Sequence, residues 1–175
     1  QDIMINIKSK EFRLTLLMFL AMITWGFSWT NAKILGSYGS APLMMFWRFF
    51  IATLSFAPIV WWHGQSLRIT KEAIRIIILN SIFMVSYNFF YFKGTQVGLA
   101  GAGGVLVTTL NPILTALFSA LFFSGYLLKK DIVGLILGFI GGAFIIKVWD
   151  LNLAQLFQSG NFYFIMSSLS WVTVT

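Results

Sequence analysis

The chain has 175 residues, of which 58% are hydrophobic, 18% aromatic and only 10% charged, and its mean hydropathy is +0.85. A water-soluble domain carries roughly a quarter of charged residues, so most of this surface faces lipid, and the formal charge of +7 reads as Lys and Arg in cytoplasmic loops rather than a nucleic-acid surface. The absence of cysteine excludes disulfide frameworks and thiolate metal sites.

A helix that crosses the hydrocarbon core needs about 20 mostly apolar residues. Residues 1–13 form a short cytoplasmic N-terminus with Lys8, Lys10 and Arg13. Spans are then expected at Leu14–Leu35, Pro42–Trp62, Ala73–Phe92, Leu99–Phe123 and Asp131–Val148. Residues 149–161 form an extracytoplasmic connection, and a sixth span starts near Phe162 and is cut off at Thr175. No A-x-A-like cleavage site follows the first span, so it is not read as a signal peptide. A chain that opens on Gln and stops inside an apolar segment reads as a fragment, with Met4 a candidate start. The predicted class is an all-α membrane protein, because lipid offers no partners for open sheet edges.

Orientation follows from the basic residues. Lys8, Lys10, Arg13, Arg68, Lys71, Arg75, Lys129 and Lys130 fall on one side; Lys93 and Lys147 fall on the other. The richer side is cytoplasmic, so the N-terminus is inside and the fifth span ends outside; the expected location is the cell's inner (plasma) membrane. Trp61 and Trp62 sit where the second span leaves the membrane, as interfacial aromatics do.

The sixth span would run opposite to the first, yet FIMSSLSWVTVT at its start reads like LAMITWGFSWT in the first, with Trp171 against Trp25 and Ser170 against Thr24. Similar helices in opposite orientation, five spans apart, point to an inverted repeat. TWGFSWTNAK (Thr24–Lys33), FWRFFIA (Phe46–Ala52), GLAGAGGVLVTTLNPILTALFSALFF (Gly98–Phe123) and GLILGFIGGAFII (Gly134–Ile146) resemble the EamA-type domain of the drug/metabolite transporter superfamily. The resemblance implies that residues 14–148 are the first five-helix repeat of a ten-helix carrier of small organic metabolites. Residues 162–175 would open the second repeat, the rest of which is missing. It also implies an acidic residue just after the fourth helix. This chain has Gly125 or Tyr126 there, so that acid is absent or moved to Asp131.

Two basic residues lie inside spans, and an intramembrane charge is a functional hypothesis by default. Lys33 is near the outer end of the first span, where it could snorkel to the headgroups or set charge at an outer entrance. Arg48 is deeper and is expected to bind carbonyls or polar groups of a neighbouring helix. If both faced a cavity they would favour an anionic group such as a carboxylate. Pro112 removes a mid-span backbone bond, so a kink is expected there, and Asn111 beside it is a cavity candidate. The expected cavity wall is Trp25, Tyr87, Asn88, Tyr91, Asn111 and Trp171. Gly134, Gly138, Gly141 and Gly142 share one face of the fifth span, a pattern that lets helices pack closely.

All five acids, Asp2, Glu11, Glu72, Asp131 and Asp150, lie outside the spans or at their ends, so this stretch offers no intramembrane proton carrier. No G-x-x-x-x-G-K-[ST] or H-E-x-x-H pattern occurs, and His63 is the single histidine. Catalytic residues, metal ligands and cofactors are therefore not expected. The leading expectation is a secondary transporter, an exporter or permease working by alternating access. A half-size membrane subunit that needs a partner is the alternative, and an intramembrane enzyme ranks below it. Expected partners are a small metabolite and the lipid bilayer, not nucleic acid.

Overall fold

A computed structural model describes residues 2–64, 69–122, 128–150, 152 and 160–175. Arg68, Phe123, Gly125, Tyr126 and most of the connection at 149–161 lie outside the described residues. Every element among those described is helical: α1 (Asp2–Leu35), α2 (Ala41–Trp62), α3 (Lys71–Val97), α4 (Ala100–Phe122), α5 (Lys129–Ile146), a 3-10 turn (Val148–Asp150) and α6 (Asn161–Val172).

Local chemistry fixes several ends. Pro42 stands in the first turn of α2, where its missing N–H costs nothing. Thr70 Oγ1 accepts from the Ala73 amide at 3.3 Å, with Glu72 in the first turn of α3; both features suit a positive helix N-terminus. Asp131 Oδ2 accepts from the Leu128 amide at 3.0 Å, so this carboxylate caps α5. The first helix begins at Asp2 rather than at Leu14. The polar residues ahead of the span include good helix formers such as Lys10, Glu11 and Arg13, and the helix runs on through them.

Among the described residues, four helices are long and apolar enough to cross a membrane: Lys10–Leu35, Ala41–Trp62, Lys71–Val97 and Ala100–Phe122. Their large side chains point outward at successive positions. Leu17, Met18 and Phe19 are all exposed, for example. A helix that is apolar all round suits lipid. The 18-residue α5 opens on Lys129, Lys130 and Asp131, and the described part of α6 has 12 residues.

Helix directions follow from which residues meet. Ser28 meets Tyr91, and Lys33 meets Gln96 and Gly98, so α1 and α3 run the same way. Gly94 lies against Phe164 while Tyr87 lies against Trp171, so α6 runs antiparallel to α3 and hence to α1. The core sits towards one end of the bundle, where α1 and α3 finish and α2, α4 and α6 begin. Trp29, Ala32, Ala41, Met45, Tyr91, Phe92, Leu106, Val107 and Phe164 form it.

Phe164 is the wedge of this core. Its side chain is fully buried, and between helices in lipid what holds it is close packing rather than escape from water. It fits because two helices offer glycine there. A Cβ on Gly94 would come within 2.6 Å of the Phe164 ring, and one on Gly103 would strike the same ring.

The glycine stripe of α5 behaves differently from the close-packing face expected of it. Gly142 meets Thr109 of α4, 3.0 Å from an added Cβ, but Gly134, Gly138 and Gly141 would meet nothing within 4 Å. The stripe touches α4 at one end only, and its other glycines are exposed. The other proline of interest, Pro112, stands within α4, which stays helical on both sides of it. Pro112 supplies no N–H, so the Thr108 carbonyl loses its helical donor.

Candidate functional site: a polar-aromatic cavity between the helices

Below the core, five helices line a half-open cavity of about 610 Å³. Trp25 comes from α1, Arg48, Phe49 and Ala52 from α2, and Met84, Tyr87 and Asn88 from α3. Thr108 and Asn111 come from α4, and Trp171 from α6. Five of the six expected wall residues are thus brought together: Trp25, Tyr87, Asn88, Asn111 and Trp171. The sixth, Tyr91, is buried one turn away. It lines a neighbouring cavity between α1, α2 and α3, and its hydroxyl donates to the Ser28 carbonyl at 3.0 Å.

An aromatic ladder holds these walls in place. Trp29 meets Tyr91 edge-on at 4.7 Å and Phe164 at 6.0 Å; Tyr91 stacks on Tyr87 at 6.2 Å, and Tyr87 meets Trp171 at 5.0 Å. Such pairs add about 0.5–1.5 kcal/mol each beyond their burial. Ser167 Oγ donates to the Tyr87 carbonyl at 3.2 Å, tying α6 to α3 at the cavity edge.

The cavity's polar atoms are not all paired. Asn88 Nδ2 donates to the Met84 carbonyl at 2.8 Å, but Asn88 Oδ1 and Asn111 Oδ1 are buried acceptors without a hydrogen-bond partner. An unmet buried acceptor costs roughly 1–3 kcal/mol. Both belong to residues that line this one cavity. Among the described residues no group of three or more His, Cys, Asp or Glu side chains could hold a metal ion.

The two intramembrane bases have distinct places. Lys33 Nζ donates to the Gln96 carbonyl at 3.0 Å and the Gly98 carbonyl at 2.8 Å, so its charge sits on the C-terminal end of α3, the negative pole of that helix. The Arg48 guanidinium lies over the rings of Tyr91, at 5.3 Å, and Phe92, at 5.8 Å, within cation–π range, and it also meets the Tyr91 hydroxyl of the neighbouring α3. It also lines the central cavity, where it is the one cation among the described residues.

Sequence reasoning passed over Trp29, Phe164, Phe49, Ala52 and Met84. Trp29 had a signal, since it stands four residues after Trp25 and so on the same helix face. The others are apolar residues in apolar helices, with nothing to mark them.

The model of the EamA-like transporter family matches residues 13–147. Among curated proteins, the chain is similar to the uncharacterized transporter YyaM of Bacillus subtilis (strain 168), 25% identical over 134 residues that cover 75% of this chain and 44% of the relative. It is also similar to the uncharacterized transporter YoaV of the same organism, 28% identical over 151 residues, 85% of this chain and 51% of the relative. The chain therefore spans about half the length of the curated relatives it matches. No solved structure matches.

Proposed function

The chain belongs to the EamA-like transporter family, and from that membership we propose that it forms the first repeat of a secondary carrier for small organic metabolites. The carrier has ten helices in two inverted five-helix repeats and moves its substrate by alternating access. It lies in the inner (plasma) membrane with its N-terminus in the cytoplasm. α5 is the fifth span and α6 the first helix of the second repeat.

The cavity carries this reading. Trp25 and Trp171 come from antiparallel helices and line the same space, as the two first helices of an inverted pair would. The lining mixes aromatic faces, two amide acceptors without partners and one guanidinium, which suits a compact solute with an apolar body, donor groups and an anionic group such as a carboxylate. Carriers place such sites between their repeats, near the midplane.

Reconstitution of the full-length gene product in proteoliposomes tests the proposal. Counterflow with a panel of amino acids, organic acids and sugars is expected to reveal saturable, protein-dependent exchange of at least one carboxylate-bearing solute. Exchange equal to that of empty liposomes across the panel would overturn it.

A further inference from the structure

Two cavities lie end to end along the seam between α2 and α3. The central one is described above. The second, an open groove of about 490 Å³, is lined by Ile77, Asn80, Ser81 and Val85 of α3 together with Val174, and Ile77, Ser81 and Val85 are exposed. Phe49 of α2 and Met84 of α3 line both. Successive residues of α3 therefore pass from the central cavity at Asn88, through Met84, to the second cavity at Ser81, Asn80 and Ile77. At 1.5 Å per residue this is a path of about 16 Å towards the helix start, where Lys71 and Arg75 mark the basic end.

Phe49 and Met84 thus stand where the two spaces meet. Both are half-buried, and Phe49 packs against the core cluster, which fixes its ring. Met84 is unbranched and adaptable, while its carbonyl is held by Asn88 Nδ2. We infer that Phe49 and Met84 form a neck that sets the size of solute passing between the central cavity and the basic end of the bundle, with Asn80 and Ser81 as a polar station below it. The pairing of a fixed ring with a flexible thioether admits compact solutes and stops bulky ones. This assignment rests on the carrier reading, but its test needs neither a known substrate nor transport.

The chain has no cysteine, so a thiol can be introduced as a reporter. In the full-length protein, Thr108→Cys places one in the central cavity and Asn80→Cys one beyond the neck. Small and bulky membrane-impermeant thiol reagents are applied from the side bearing the start of α3. With Phe49 and Met84 in place, the bulky reagent is expected to label Thr108→Cys slowly. Adding Phe49→Ala, or separately Met84→Ala, should speed bulky labelling there by about tenfold relative to the small reagent. Labelling of Asn80→Cys should stay unchanged. An unchanged bulky-to-small ratio at Thr108→Cys in both backgrounds overturns the neck. So does an equal rise at both reporter positions, which would mean that the substitutions only loosen the fold.

Discussion

Lys33 and Gln96 hold each other's helix ends. Lys33 donates its ammonium protons to the Gln96 and Gly98 carbonyls, while the Gln96 side chain donates through Nε2 to the Gly36 carbonyl at 3.2 Å and the Gly39 carbonyl at 2.7 Å. Four carbonyls, that of Gln96 in the last turn of α3 and those of Gly36, Gly39 and Gly98 just past the ends of the two parallel helices, are satisfied by two side chains. In a lipid environment such carbonyls are costly to leave unpaired.

Replacing Lys33 should therefore act on stability before it acts on substrate. Lys33→Met is expected to lower the stability of the detergent-purified protein by about 1–3 kcal/mol, as loss of charged hydrogen bonds does, whereas Lys33→Arg keeps most of it. An unchanged melting temperature in Lys33→Met would assign this lysine to the headgroups instead.

The glycine notch makes a sharper prediction. Gly103→Ala drives a methyl into the Phe164 ring, and overpacking of this kind costs about 1–3 kcal/mol. The double variant Gly103→Ala with Phe164→Leu should recover part of that loss, because the two residues touch. Thermal unfolding of the two single variants and the double variant reads the coupling. Strict additivity would show that the wedge does not bear on Gly103.

Arg48 lies over two rings and also faces the cavity. Cation–π contacts contribute about 0.5–2 kcal/mol, so Arg48→Ala should reduce the folded amount in the membrane more than Asn111→Ala does. Quantitative immunoblotting of membranes decides. Equal, normal amounts of both would leave Arg48 to the substrate alone.

What could be read beforehand follows the physics of each feature. The four long spans were legible because run length and hydropathy are signals along the chain itself, and lipid demands both. Trp25, Tyr87, Asn88, Asn111 and Trp171 could be named because polar or amphipathic groups stand out against an apolar background. The neck at Phe49 and Met84 could not, since an apolar residue facing lipid and one facing a cavity look alike in sequence. Nor could the role of Lys33, whose acceptors lie 63 and 65 residues away and become its partners only when α1 and α3 align. The α5 glycines show the opposite failure. Their spacing marks a face, but spacing does not say how far along that face a neighbour stays close.

Exchange by cavity variants tests the central claim most directly. Full-length wild type, Trp25→Ala, Asn111→Ala and Trp171→Ala are reconstituted at matched amounts beside Phe56→Ala, whose side chain is 65% exposed on α2 away from the cavity. Counterflow of whichever solute the wild type exchanges is then measured for each. The account predicts that the three cavity variants lose most of the exchange while Phe56→Ala keeps it. Full exchange in all three cavity variants would contradict it.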